Sequence, residues 1–397
     1  MISVAEAQSR CLALVRPLHP ETVPLTDAAG RVLAAPVKAG RAQPPFAASA
    51  MDGYAVRAED CHPGAVLAVV GEAAAGHGWA GQVNPGEAVR IFTGAPVPAG
   101  ADRVVIQEDV TRSGPRITLG DTLENSTNIR PEGADFASDF TLSAPRMLTP
   151  SDLALLAAMN AGHVQVTRKP EVAIIATGDE LVMPGERPNP DQIIASNLFA
   201  LKAMIEAAGG RARLLPVARD NEASLMTVYD MAMGADLIVT IGGASVGDHD
   251  LVAQVAARFG LQQSFYKIAM RPGKPLIAGA FADGTAYLGL PGNPVSAIVC
   301  GHLFLLPMLR AMLGLTDHLP TVLRARLAAP VAGNGPRAHY MRAHLAEDET
   351  DRRVTAFDRQ DSALLTVLVR ANGLLIRPPH DGPRAAGDMV EVLPLLP

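Results

Sequence analysis

The sequence contains no pair of closely spaced cysteines. Only Cys11, Cys61 and Cys300 occur among its 397 residues. Their odd number and wide spacing exclude a disulfide framework and argue against a thiolate zinc site. Each thiol is expected to be a small buried hydrophobe. A block of like charge is also missing. The net charge is −6, from 34 Lys and Arg against 40 Asp and Glu. Nucleic-acid binding would need a basic face to displace counterions, so no nucleic-acid partner is expected. An anionic small molecule would instead need locally placed cations or a metal. No basic segment followed by an apolar run opens the chain. Ser3 and Glu6 have the spacing of a capping box on an amphipathic helix rather than of a signal peptide. The longest apolar stretch, residues 295–306, contains His302 and stops at Pro307, which is expected to be too short for a bilayer. A cytoplasmic protein without a membrane partner is the expectation.

What is present is a globular composition, 48% apolar and 19% charged, on a chain too long for one ordinary core. Four textures follow one another. Residues 1–45 begin with the capped helix and continue in short Pro-punctuated segments. Together with residues 135–167, where Thr149-Pro150-Ser151-Asp152 opens a second helix, they are expected to form an N-terminal or linking domain. Residues 46–134 alternate short β-like runs with Gly and Pro turns and read as an inserted small β domain. Residues 168–316 alternate apolar strands with helices. Runs without polar alternation are strands covered on both faces, so a three-layer α/β domain around a parallel sheet is expected. Its strands are placed at 172–176, 214–218, 236–241, 265–269 and 286–290. Residues 317–397 return to short strands and read as a C-terminal β-barrel-like domain.

The chemistry is written at the strand ends of the third region, where ligands of such sheets bind. Asp179 and Glu180 follow the first strand and Asp220 the second. A loop bearing Gly242, Gly243, Ser245, Gly247 and Asp250 follows the third, and Pro291-Gly292-Asn293-Pro294 follows the last and opens a helix. Taken singly, each is also a turn or a helix start, and Asp220 alone could be an N-cap. Together they bring carboxylates and glycine loops to one rim. Glycines let backbone N–H groups approach a phosphate, and the helix start adds a favourable dipole. Carboxylates would repel that phosphate by about 4 kcal/mol for a contact pair at an effective dielectric near 20. A hard cation resolves the conflict, and Mg²⁺ takes one or two carboxylates together with waters and phosphate oxygens. Lys267, Arg271 and Lys274 surround a Pro-Gly turn and are the main cation source, held by Pro272 and Pro275.

Seven segments, 45–56, 90–100, 128–133, 176–181, 241–250, 267–275 and 290–296, together resemble the MoeA-type molybdopterin molybdotransferases, relatives of the gephyrin E domain. The resemblance covers essentially the whole chain. It implies that molybdate is inserted into adenylated molybdopterin with Mg²⁺-dependent release of AMP. It also implies Glu180, Asp220 and Asp250 around the metal and phosphates, with Asp52 joining them in catalysis. Lys267, Arg271 and Lys274 would meet anionic groups, and Pro291 and Pro294 would shape the pocket. Thr93 and Arg130 match positions in the family's other domains, and Arg342 and Ser362 match anion contacts in its C-terminal domain. Arg271 stands where the family often has Lys, and Asn221 where a second Asp often follows. The resemblance further implies a homodimer with shared active sites, and transient contact with the adenylyltransferase and with cofactor-accepting enzymes. A molybdopterin adenylyltransferase, which shares only the third region, is the runner-up, and a pterin-binding scaffold is the non-enzymatic alternative.

Overall fold

Val172–Ala176, Leu237–Ile241 and Ala286–Leu290 carry no polar face, and every residue in them is buried. In the computed structural model, which describes residues 1–243, 251–347 and 351–395, they form the centre of a six-stranded sheet. The order is Arg211–Leu214, Glu171–Ala176, Leu237–Ile241, Ala286–Leu290, Ile277–Ala280, Gln262–Tyr266. Alternate residues feed two cores, as strand geometry demands. Ile174, Val239 and Leu288 pack on one face with Leu201 and Leu305, and Ile175, Ile238 and Tyr287 on the other with Leu225 and Val255. Helices therefore cover both faces, giving the expected three layers.

Two features of the sheet correct the sequence reading. Only its first four strands pair in parallel; Ile277–Ala280 runs antiparallel to them, and Gln262–Tyr266 pairs antiparallel with it at the edge and so points the same way as the four. Residues 281–285 are too few for a crossover, which needs a dozen or more, so a hairpin is the only connection they can make. The strand expected at 265–269 ends at Tyr266, and Ile277–Ala280 was not anticipated because it begins just beyond the Pro275 turn. The helical run from Pro294 continues through Pro307 to Met312. A π-helical segment, Gly301–Leu305, precedes the proline; its wider turn relieves the clash that a proline ring makes inside a regular helix. At 19 residues the run is long and apolar enough to cross a membrane, correcting the expectation from length, but 78% of it is buried inside the protein.

The N-terminal helix, Val4–Ala13, is capped by Ser3, whose Oγ accepts from the Glu6 N–H at 3.1 Å. Its Ala7 and Cys11 enter the same core as Leu305 and Leu309. Met1–Glu21 and Gly30–Ala34 therefore belong to one compact unit with Val166–Pro397, while Thr22–Ala29 and Ala35–Gln165 form a second. Sequence order groups the helix with residues 135–167; its Ala7 and Cys11 instead pack in the core of the first unit. Cys11 and Cys300 are buried as expected, but Cys61 is half-buried and accepts from Arg103 Nη1 at 3.6 Å.

Also in the first unit, Leu323–Leu327, Ala338–Glu347, Arg352–Ala356, Gly373–Arg377 and Met389–Pro394 form a sheet that closes through the pairing of Ala338–Glu347 with Gly373–Arg377. The result is a five-stranded barrel filled by Leu327, Ala343, Val354, Leu375 and Val392. Met270–Arg271 adds to its edge, parallel to Ala338–His339. The second unit is built on a six-stranded sheet in which Gly53–Val56 lies between Arg103–Ile106 and Glu87–Ile91. Tyr54 and Ala55 point to separate clusters, so this strand is buried on both faces. The helix Pro150–Ala158 has a complete capping box between Thr149 and Asp152.

Candidate functional site

The ends of the parallel strands are tied into one rim by backbone bonds. The Thr177 N–H donates to the Ile241 carbonyl at 3.0 Å, Gly178 to Ala218 at 3.1 Å, and Gly242 to Leu290 at 3.1 Å. Gly242 has φ +89°, and a Cβ there would lie 2.9 Å from the Thr177 oxygen, so both backbone shape and space require glycine. A Cβ on Gly292 would come within 3.5 Å of the Gly242 Cα, which places the two glycine loops side by side. Gly243 follows at φ +65°. The two glycine loops are thus brought together as far as Gly243; Ser245, Gly247 and Asp250 lie outside the described residues.

Glu180 and Asp220 sit on adjoining loops. Arg219 Nη1 donates to the carbonyls of Asp179 and Leu181, each at 3.1 Å, and the Asp220 N–H donates to Asp179 Oδ1 at 3.2 Å. Gly178, at φ +145°, makes room for Glu180, because a Cβ there would fall on the Glu180 carboxylate. The helix Glu222–Ala232 is capped by Asn221, whose side chain accepts from Ser224 N at 2.9 Å. Asp220 is therefore not a cap. Its carboxylate and that of Glu180 are exposed and make no hydrogen bond among the described residues. Two exposed oxygen donors on joined loops fit a Mg²⁺ that completes its shell with water and phosphate. The described residues hold no group of three metal-binding side chains.

At the last strand the helix start offers less than expected. Pro294 has no N–H, and the Val295 N–H donates to the Ser362 carbonyl at 3.1 Å. Asn293 Nδ2 donates to Ser362 Oγ at 3.0 Å instead of capping the helix. Ser362 is thereby fixed against the Pro291–Pro294 turn. Asn197, which sequence reasoning missed, donates to the Gly292 carbonyl at 2.7 Å, while its buried Oδ1 has no partner.

The cation loop is closed by the Ile268 N–H donating to the Lys274 carbonyl at 3.0 Å, and Lys267 lies with its Nζ 4.6 Å from the Tyr266 ring centroid. Arg271 and Lys274 are exposed. Beyond Arg271 the barrel supplies Arg342, which is fully buried. Its Nη2 donates to the carbonyls of Arg359 at 3.2 Å and Asp361 at 2.9 Å, but Nε and Nη1 have no partner. Burial, and then the charge of Arg271, lower its pKa. His339, 8% exposed, also leaves Nε2 unpaired. Burial, followed by Arg271, Arg342, Arg377 and Arg337, holds His339 down at about 4. Arg377 is matched by Asp381 at 2.6 Å; Arg342 makes no such ion pair among the described residues and feels only the charge of Asp361 in its favour. Buried donors without acceptors are costly, so Arg342 Nε and Nη1 are left able to donate to an acceptor. His339 was legible only as a histidine three residues before Arg342.

His339 and His302, which burial also lowers to about 4, make stability depend on pH. Each is neutral in the fold, with an ordinary value near 6.5 when unfolded. Between pH 6.5 and 4 the unfolded chain binds more protons, so stability is full above 6.5 and falls as pH drops toward 4. The loss is about 3 kcal/mol for each at most. Urea melts at pH 7 and pH 5 check this, and His302→Gln should flatten the dependence.

In the second unit, three segments meet. Ala48–Ser49 pairs with Ile129–Arg130, and the Gly94 N–H donates to the Ser49 carbonyl at 2.8 Å. Asp52 Oδ1 accepts from both the N–H and the Oγ of Thr93, each at 2.8 Å. These bonds, the backbone one first, hold the Asp52 carboxyl below its usual range. Arg130 is exposed on the neighbouring strand. Asp52, Thr93 and Arg130 are thus brought onto one set of loops.

Family models match along the whole length: the MoeA N-terminal region (domains I and II) at residues 2–160, a probable molybdopterin binding domain at 173–311, and the MoeA C-terminal region (domain IV) at 324–395. A molybdopterin molybdenumtransferase of Nostoc is 38% identical over 331 residues, 81% of this chain and 76% of that protein. Molybdopterin molybdenumtransferase 2 of Mycobacterium tuberculosis is 36% identical, covering 99% of both chains. The crystal structure of a molybdopterin biosynthesis MoeA protein from Pyrococcus superposes with a TM-score of 0.85 at 31% identity, covering 100% of each chain. With all three regions matched in order and relatives above 30% identity over nearly its full length, this chain belongs to the MoeA family.

Proposed function

We propose that this protein is a molybdopterin molybdenumtransferase that inserts molybdate into adenylated molybdopterin and releases AMP. The observation that carries this reading is the buried Arg342 guanidinium, whose Nε and Nη1 have no partner, in the C-terminal barrel next to the Arg271 strand. It is an oxyanion receptor outside the pterin-binding region. An adenylyltransferase confined to residues 173–311 has no such barrel, and a scaffold has no need of one.

In this reading the Gly242, Gly243 and Gly292 backbones cradle the pyrophosphate, and Lys267, Arg271 and Lys274 balance its charge. Glu180 and Asp220 would hold Mg²⁺, joined by Asp250. When bound, that ion supplies electrostatic stabilisation of the phosphate oxygens. Arg342 and Ser362 would receive molybdate, a tetrahedral dianion suited to fixed N–H and O–H donors. Molybdenum ends on the pterin's own sulfurs, so the enzyme itself needs no cysteine ligands. The test is the substrate consumed. AMP should form from adenylated molybdopterin and not from ATP, whereas an adenylyltransferase would consume ATP.

The reading includes a homodimer whose sites are shared, with Asp52, Thr93 and Arg130 completing the site of the partner. Asp52→Ala and Asp220→Ala, each inactive alone, should then complement when co-refolded. Random mixing makes half the dimers mixed, each with one intact site, so about a quarter of the activity returns. No recovery in dimers shown by mass to be mixed would reject the shared site.

A further inference from the structure

The Arg90 side chain touches the segments that set the Asp52–Thr93 pair. Nη1 donates to the Gly53 carbonyl at 3.1 Å, and Nη2 to Gln107 Oε1 at 2.6 Å. The Gln107 N–H in turn donates to the Asp52 carbonyl at 3.0 Å. Cζ lies 5.1 Å from the Tyr54 ring centroid and 4.7 Å from that of Phe92. Gly53 directly follows Asp52, and Phe92 directly precedes Thr93. One guanidinium therefore bridges both chain segments whose ends carry the pair.

Packing alone would not call for this residue, since a leucine or methionine could fill the gap between two rings. The planar fork adds two directed bonds while its face stacks on aromatics, a combination that lysine's point charge cannot reproduce. Its charge also acts on Asp52, in the same direction as the two bonds from Thr93.

We propose that Arg90 is a positioning residue that clamps Gly53 and Phe92 and so keeps the Asp52–Thr93 pair in its bonded geometry. This rests on the reading of Asp52 and Thr93 as site residues.

The test uses the full-length protein and molybdate-dependent AMP release, comparing wild type, Arg90→Gln, Arg90→Lys, Asp52→Asn and the Arg90→Gln/Asp52→Asn double variant. Arg90→Gln should lower kcat by about tenfold with KM within about twofold, the pattern of an interaction felt in the transition state. Its acid limb should move to higher pH, because removing a cation raises the pKa of Asp52. Arg90→Lys should not restore kcat. The double variant should be no slower than Asp52→Asn alone, since residues acting as one unit are not additive. If Arg90→Gln fails to fold, Gln107→Ala, which removes one acceptor only, should show the same kcat loss in smaller measure. Multiplicative losses in the double variant, full rescue by lysine, or an unmoved acid limb would each overturn the proposal. Full activity in Asp52→Asn would overturn it as well, and would place the fault in the underlying site reading rather than in the clamp.

Discussion

Asp220→Asn is expected to slow molybdate-dependent AMP release at least about a hundredfold while leaving the fold unchanged. Asp220 ends the loop after Arg211–Leu214, and its backbone is fixed by Asp179. Its carboxylate does no structural work, because Asn221 supplies the helix cap. The substitution keeps shape and removes charge. Stability should therefore stay within about 0.5 kcal/mol of wild type, as for other surface changes that touch no structural feature. The electrostatic help of a bound metal is worth several kcal/mol, and each 1.36 kcal/mol is tenfold in rate. Raising Mg²⁺ should recover part of the loss if the defect is metal affinity. Normal turnover at limiting Mg²⁺ would remove Asp220 from the metal site, leaving Glu180 and Asp250 to be tested in the same way.

Arg342→Met should weaken molybdate binding by roughly ten- to a hundredfold, the 1.5–3 kcal/mol typical of a lost hydrogen bond to a charged group. The more telling expectation concerns stability. A buried arginine that served the fold would be fully paired, and its removal would destabilise. Arg342 leaves two of its three nitrogens without acceptors and feels Arg271 besides. Replacing an only partly compensated buried charge by an apolar side chain of similar length can be neutral or stabilising. The variant should therefore melt at or above the wild-type temperature while binding the anion poorly. Weak binding accompanied by a large drop in melting temperature would mean that Arg342 is a structural strut for the 359–361 segment. Molybdate itself should raise the melting temperature of the wild type, by binding the native state, and should do so much less for the variant.

How much of this was legible in the sequence depended on how local the signal was. The apolar runs Val172–Ala176 and Leu237–Ile241 announce strands covered on both faces, and Thr149-Pro150 announces a helix start, because each is fixed by neighbouring residues. The antiparallel edge was not legible. Ile277–Ala280 is short, follows Pro275 closely, and takes its direction from the shortness of the 281–285 connection rather than from its own residues. The placement of Val4–Ala13 with Leu305 and Leu309 is likewise long-range; periodicity shows that a helix has an apolar face but not what that face meets. At the site, carboxylates and glycines at strand ends could be read from order alone. The roles of Asn221 as cap and Ser362 as partner to Asn293 and Val295 could not, since each depends on hydrogen bonds that only the folded chain defines. The resemblance named Arg342, but its unpaired nitrogens and the unpaired Nε2 of His339 emerge only from burial.

The central claim is that phosphate cleavage and molybdenum insertion are one coupled event at this site. The most direct measurement follows AMP release and protein-bound molybdenum together in a single turnover with adenylated molybdopterin, Mg²⁺ and varied molybdate. The account predicts no appreciable AMP without molybdate, and one molybdenum held by the pterin for each AMP released as molybdate is raised. AMP released at the same rate without molybdate, or molybdenum gained without AMP, would contradict it.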